Sequence, residues 1–535
     1  MPGVSDINRA FNRVPRRAES RVSAQLRDTF VDSGVAAALE SIDHQVLYGR
    51  RGTGKTHALR YLAATRAEYG DIGIYIDLRI IGSAEGLFDP ERASPIARTS
   101  RLLANLLLEV HDAILEAVLN DDELIADEAI AQNLDFLDQA LRNTRVEGGQ
   151  VEESYEHQNE KKEKASLRAR FSLTRLSANA MAGVGMSNSD QNRQSAKRKG
   201  EERPSLNFGE IARSLRAVAE SLRARRIWLL LDEWSSVPLD MQPYLGEFLV
   251  RCVTPVQGFT VKIAAIEQQT RFRTTTANNE TIGIELGADF AANVDLDDFM
   301  VFEHDRERAR DFFRGLLFKH LTAGASDAEQ VPGLRTERDL VSMGFTSKRV
   351  FDELVRASEG VPRDAINIAA KAAVRAGDRQ ISMPEVRRAS RQWFQTDKES
   401  ALRGVTGGIE LLNWVIDTVI REKRARGFLV NQRSSGERLL TALFDARVLH
   451  LVRRGYSAQD EPGERYDVYV IDYGAYVDLI NTQNAPRGLL AVDLDGDDID
   501  DSDGGWVEVP EQDLRALRRA VLNLDEFLKA NPQYK

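Results

Sequence analysis

One eight-residue stretch, Gly49-Arg50-Arg51-Gly52-Thr53-Gly54-Lys55-Thr56, restricts the fold of this chain more than any other. It stands between a short apolar run, Gln45-Val46-Leu47-Tyr48, and a segment in which Leu59, Leu62 and Ala63 recur at helical spacing. The pattern G-x-x-x-x-G-K-[ST] between a strand and a helix predicts a phosphate cradle. Its glycines let the backbone wrap an anion, so that successive N–H groups and the helix N-terminus point at phosphate oxygens. Lys55 is expected to reach the β- and γ-phosphates and Thr56 to offer its hydroxyl to Mg²⁺. The expected nucleotide contacts are Gly49, Arg50, Arg51, Gly52, Thr53, Gly54, Lys55, Thr56 and the next residue, His57. A glycine-rich turn that binds nothing is the rival reading, and the agreement of motif and context counts against it.

A parallel sheet follows from the rest of the first half. Residues 72–78 and 259–266 read as strands, and Ile227-Trp228-Leu229-Leu230-Leu231 is a continuous apolar run of the kind buried on both faces. That run ends in Asp232-Glu233, at the edge where such sheets bind ligands. Asp232 is expected to hold Mg²⁺, and Glu233 to orient and deprotonate an attacking water. A weaker strand is expected around 294–302, and helices over 102–119, much of 120–143, 208–224 and 239–252.

Beyond 305 the chain turns helical over 306–320, 347–357, 365–375 and 384–394. Gly360-Val361-Pro362-Arg363 separates two of these helices, and Arg363 falls at a helix start, where the macrodipole disfavours a cation. Taken alone, this is an exposed capping-turn arginine. Residues 409–422 and 434–446 read as helices, 448–453 and 466–471 as strands, and 512–528 as a closing helix. Helix, helix and hairpin with arginines at 424, 426, 433, 438, 447, 453 and 454 fit a winged-helix module. In that module 434–446 enters the major groove of duplex DNA, or else the domain docks a protein.

Two segments fall outside this pattern. Residues 145–205 have low hydrophobicity and no sustained period, which predicts a largely flexible insertion. Residues 493–503 are acidic, but aligning Gly496 to the sixth position of a calcium loop leaves Ala491 first and Ser502 last. A solvated loop between strands at 489–492 and 506–509 is the better expectation. The arginines of residues 1–30 read as a solvated face on a helical arm, with phosphate contact as the rival. At 535 residues the chain is expected to hold several domains. One cysteine, no bilayer-length apolar run and no signal-peptide core in residues 1–30 point to a cytoplasmic protein without a membrane partner. The net charge of −11 excludes a protein that coats nucleic acid wholesale, but not a local basic face.

Together these residues resemble an AAA+ ATPase of the origin-recognition/Cdc6-like branch and its bacterial relatives. Gly49–Thr56 stands as Walker A, 229–233 as Walker B and Gly360-Val361-Pro362-Arg363 as a sensor-2 motif opening a lid helix, across about residues 28–395. The resemblance implies an α/β fold: a P-loop parallel-sheet ATPase core with a helical lid and a small C-terminal winged-helix-like α+β domain. The expected division is an arm (1–30), the core (31–304), the lid (305–400), the winged-helix-like domain (405–482), and a hairpin and helix with the acidic loop (483–535). It implies ATP and Mg²⁺ as ligands, with Lys55, Glu233 and Arg363 catalytic, Arg363 on the γ-phosphate. It also implies a nucleotide-driven switch associated with DNA, in a defence or mobile-element setting, with a protein partner or self-association. The alternative is a signalling or scaffold ATPase that never touches DNA. Two positions depart from the family pattern: Glu267 and Gln268 stand where a polar sensor-1 residue is expected, and Arg271 and Arg273 are the nearest arginine-finger candidates.

Overall fold

The computed structural model describes residues 4–15, 23–81, 94–142, 144–152, 197–204, 206–223, 225–276, 278–297, 306–323, 330–423, 425–457, 463–479 and 520–534. Its strands, in chain order, are β1 (Gln45–Tyr48), β2 (Ile72–Asp77), β3 (Thr144–Glu152), β4 (Lys197–Pro204), β5 (Ile227–Asp232) and β6 (Phe259–Ala265). There follow β7 (Arg273–Thr275), β8 (Thr281–Gly283), β9 (Ala291–Asp295), β10 (Gly427–Asn431), β11 (Leu449–Ser457) and β12 (Arg465–Ile471). Five strands form a sheet in the order β2-β5-β6-β1-β9, and the pairs β2 with β5, β1 with β6 and β1 with β9 are parallel. The weak strand expected around 294–302 is instead β9, Ala291–Asp295, and residues 298–302 lie outside the described residues. β5 and β6 are buried along their whole length, as strands covered on both faces must be. β2, at the end of the sheet, alternates buried and half-buried residues.

The chain divides into two compact units. The first comprises Met1–Tyr69, Lys262–Thr270 and Phe290–Lys535. In it, β1 leads into the helix Lys55–Glu68, and the helices Arg306–Thr322, Glu337–Gly344, Lys348–Ala357, Pro362–Ala376 and Met383–Trp393 share an apolar core that includes Phe313, Phe345 and Phe351. Capping boxes at Thr336 and Ser382 open two of these helices. The N-terminal helix Val4–Arg13 belongs to this core: Phe11 lies 6.2 Å from Phe345, and Asn8 Nδ2 donates to the carbonyls of Gly377 (2.7 Å) and Arg379 (2.8 Å). Arg9 and Arg13 are exposed on its outer side, while Arg16, Arg17 and Arg21 lie outside the described residues. The same core continues through Phe428, Leu439, Leu443 and Tyr469. There β10, β12 and β11 make an antiparallel sheet behind the helix Arg438–Asp445.

The second unit comprises Gly70–Val261 and Arg271–Asp289. β2 and β5 lie here with the helices Pro95–Leu119, Glu128–Arg142, Phe208–Ser221 and Gln242–Cys252. Trp228 is locked on β5 by donating its indole N–H to Asp71 at 2.9 Å. The ends of the expected insertion pair with one another as the antiparallel strands β3 and β4, and residues 153–196 lie outside the described residues.

Two readings of the sequence need correction. β10 and the hairpin β7–β8 stand where no strand was expected. The expected helix 512–528 is described only from residue 520, and the helix is Leu524–Ala530. Ahead of it Val521 bridges Leu429, and the Asn523 side chain caps the new helix by accepting from Asp525 N–H at 3.1 Å. The expected strands at 489–492 and 506–509 and the acidic run 493–503 lie outside the described residues.

Candidate functional site

The Gly49–Thr56 loop is held in part by bonds within its own sequence. Gly49, Gly52 and Gly54 have φ of +155°, +90° and +104°, and Gly54 is the N-cap of the 14-residue helix Lys55–Glu68. Thr53 Oγ1 donates to the Arg50 carbonyl at 2.9 Å. Lys55 folds back over the loop, its Nζ donating to the carbonyls of Gly49 (2.6 Å) and Arg50 (3.0 Å). A Cβ on Gly49 would stand 2.6 Å from Thr53 Oγ1, so the turn admits only glycine. Arg51 is exposed and Thr56 half-buried. His57 is turned into the fold: one ring nitrogen meets the Leu26 carbonyl at 2.6 Å, and the ring packs edge-on against Phe30 and His320. Its side chain therefore serves packing at the N-terminal segment.

Arg363 comes to this loop. Gly360, at φ +75°, stops the preceding helix, and Pro362 opens the next with Arg363 in its first turn. The Arg363 N–H donates to the Gly52 carbonyl at 3.3 Å. A Cβ on Gly52 would lie 2.9 Å from Arg363 Cβ and 3.2 Å from Val361 Cγ1. A cation disfavoured at its own helix start thus stands against a loop built for anions.

The carboxylates at the end of β5 lie in the second unit. Asp232 is 1% exposed; its Oδ2 accepts from Tyr75 OH at 2.8 Å and its Oδ1 from the Glu233 N–H at 2.9 Å. Glu233 occupies the left-handed region at φ 57°, ψ 38°, a conformation that costs a non-glycine residue roughly 1–3 kcal/mol. Arg79, paired with Asp77 at 2.6 Å, reaches 3.7 Å from a Glu233 oxygen. Tyr75, Asp77 and Arg79 had no motif to mark them.

Glu267, Arg271 and Arg273, the residues nearest the expected sensor-1 and arginine-finger positions, are among the described residues. Glu267 lies in the turn after β6, where its carboxylate is clamped by the Arg454 guanidinium. Arg271 and Arg273 are exposed in the second unit; Arg271 N–H donates to Gln242 at 2.7 Å and Arg273 lies 3.6 Å from Glu285. Beside the phosphate loop, in the first unit, opens a cleft of about 290 Å³ whose walls include Gly49, Arg50, Glu267, Asp297, Phe444 and Arg454. Tyr48 borders it too, its hydroxyl pKa pushed up by burial and by Glu267.

These groups fit a magnesium nucleotide. The loop couples glycines at positive φ to a long helix's N-terminus and to a lysine whose bonds are to loop carbonyls, an arrangement suited to phosphate. Thr56 in the first unit and Asp232 in the second each carry a hard oxygen donor of the type Mg²⁺ takes.

A family model described as ORC-CDC6-like matches residues 15–349. It spans the loop and the β5 carboxylates, and it ends before Arg363 and the C-terminal sheet. Comparison with curated proteins finds no match. Among the described residues no helix is long and apolar enough to cross a membrane. With more than half of its length matched, the chain belongs to the ORC-CDC6-like family, within the AAA+ ATPases.

Proposed function

We propose that the chain is an ATP-binding and ATP-hydrolysing switch that works with DNA in the cytoplasm. The observation that carries the nucleotide reading is the seat of Arg363 on Gly52, which brings a helix-opening arginine to the phosphate loop from more than 300 residues away. The loop amides and the helix N-terminus bind the phosphates, and Lys55 exchanges its loop carbonyls for β- and γ-phosphate oxygens. Arg363 stabilises charge on the transferring group. Mg²⁺, when bound, supplies charge neutralisation on those phosphates, with Thr56 and Asp232 as its protein ligands. Glu233 orients the attacking water and takes its proton. The strained backbone at Glu233 supports that role, because such strain gathers at functional positions.

The DNA part rests on the C-terminal elements. In support, the order helix Gly408–Val415, β10, helix Arg438–Asp445, β11, β12 is compatible with the winged-helix reading, and Arg433, Arg438, Arg453 and Arg465 are exposed on these elements. One observation favours the second reading, a signalling or scaffold ATPase. Phe444, near the end of the helix meant for the groove, borders the cleft beside the phosphate loop. An ATPase assay with and without duplex DNA separates the two. Stimulation that falls steeply with salt supports DNA coupling; equal rates with unchanged DNA mobility sink it. Loss of ATP binding in Lys55→Ala tests the nucleotide site itself.

A further inference from the structure

Arg50 occupies a position where the loop motif accepts any residue, yet it is 4% exposed and its side chain is bonded to residues far along the chain. Its backbone N–H and its Nε both donate to Asp297, at 2.9 and 2.7 Å. Its guanidinium carbon lies 5.8 Å from the centre of the Phe444 ring, and Nη1 meets His450 Nδ1 on β11. The Arg50 carbonyl receives Lys55 Nζ and Thr53 Oγ1. One residue therefore joins the loop lysine to the C-terminal sheet.

The path continues inside the protein. A guanidinium only donates, so His450 Nδ1 accepts and Nε2 carries the proton, donating to Asp472 Oδ2 at 3.0 Å. Burial and the neighbouring Arg50 push the imidazole pKa down to about 3 against the pull of Asp472, so the ring is neutral with one fixed tautomer. Asp472 is paired with Lys398, whose Nζ also lies 2.8 Å from Asp364 Oδ2. Asp364 further accepts from Arg447 (2.7 Å) and Trp393 (3.0 Å). Burial opposes its ionisation, but Arg447 and Lys398 outweigh it and hold the carboxyl well below the usual carboxylate range. Asp364 directly follows Arg363, whose N–H holds Gly52. The phosphate loop is thus gripped at Arg50 and at Gly52 by the two ends of one buried circuit through β11, Asp472 and Lys398. Each buried group in the circuit is held by more than one partner, so cutting a link weakens the hold on its neighbours and the circuit resists piecemeal rearrangement.

We propose that Arg50 and His450 are positioning residues of the nucleotide site, through which the C-terminal sheet sets the geometry of the phosphate loop and of Lys55. The inference rests on the nucleotide reading above and deepens it. The C-terminal sheet then forms part of the ATPase's working structure, and a partner that shifts β11 alters nucleotide affinity without touching nucleotide.

Steady-state ATP hydrolysis and MgATP binding by the full chain test this, with Lys55→Ala as reference. His450→Leu and Arg50→Met each raise KM for ATP by about tenfold or more, the weight of a lost charge-assisted hydrogen bond. The double variant is no worse than Arg50→Met alone, because that variant already cuts the link His450→Leu removes, together with the bond to Asp297. His450→Asn, whose Oδ1 stands near the place of Nδ1, restores most of the affinity, which a general loss of packing would not allow. If His450→Leu does not fold, Arg50→Met compared with wild type still decides. Wild-type KM in both single variants, or strict additivity in the double, overturns the positioning role while a Lys55-dependent wild type upholds the nucleotide site. A wild type that binds MgATP no better than Lys55→Ala overturns the nucleotide reading and this inference with it.

Discussion

The contact between Gly52 and Arg363 can be tested by adding one carbon. In Gly52→Ala the new Cβ meets Arg363 Cβ at 2.9 Å and Val361 Cγ1 at 3.2 Å, on a backbone at φ +90°. The left-handed backbone alone costs an alanine about 1–2 kcal/mol. Overpacking against atoms near the backbone adds about 1–3 kcal/mol, because neither partner is the free end of a flexible side chain. Gly54→Ala is the internal control: its φ is +104° and its Cβ meets nothing within 4 Å, so it carries the backbone cost alone. The difference between the two variants, about 1–3 kcal/mol, belongs to the loop–helix contact. It is read in the nucleotide-free protein by hydrogen exchange of the amides in the first turns of Pro362–Ala376 and Lys55–Glu68. A difference near 2 kcal/mol speeds exchange in the Arg363 turn by about thirtyfold in Gly52→Ala relative to Gly54→Ala. Equal exchange in the two variants, or an effect confined to Lys55–Glu68, would refute the claim that Arg363 is seated on the loop.

Glu233, Asp364 and His450 each give a further outcome to measure. Glu233→Gln keeps ATP binding and lowers turnover by about 100-fold or more, the usual weight of a positioned base, whereas hydrolysis at the wild-type rate removes Glu233 from the mechanism. Asp364→Ala leaves Lys398 and Arg447 buried without their shared anion, a loss of about 3–5 kcal/mol in equilibrium unfolding; a loss below about 1 kcal/mol would show that the two cations find other partners there. His450, with a folded pKa near 3 against 6.5 unfolded, contributes stability that is fully present above pH 6.5 and is lost as pH falls toward 3, at about 1.4 kcal/mol per pH unit. Melting temperature therefore drops more between pH 7 and pH 5 in wild type than in His450→Asn, and parallel slopes would mean that the imidazole is not held neutral by its surroundings.

The parts of the fold that could be read in advance are those whose signal is local. β5 and β6 are continuous apolar runs, and both are buried on both faces. Pro362 after Gly360 marked a helix start, and the helix begins there. β10 escaped because Gly427–Asn431 is only five residues long and shows no alternation; its burial comes from pairing with β12, not from its own pattern. β7 and β8 are three residues each and largely exposed, so no hydrophobic period announces them. Residues 520–523, expected as helix, are not helical because Val521 and Leu522 bond to Leu429 in β10, a contact from nearly 100 residues away that overrides helical spacing.

The site divides along the same line. A motif displays the residues whose chemistry is common to every protein that carries it, which is why Lys55, Thr56 and Asp232 could be named from spacing. Arg50 sits at the motif's unspecified position, and its partner His450 is 400 residues away in a segment beyond the family match. Such a pair leaves no spacing to read: an arginine in a loop and a histidine in a strand are each ordinary until burial forces them to share a proton donor and an acceptor. Burial also gives the pair its consequence. An exposed ion pair at the same distance would be worth less than about 1 kcal/mol and would transmit little. A neutral histidine between a buried guanidinium and a buried carboxylate has one favourable arrangement, so the position of β11 and the carbonyl that holds Lys55 cannot change independently.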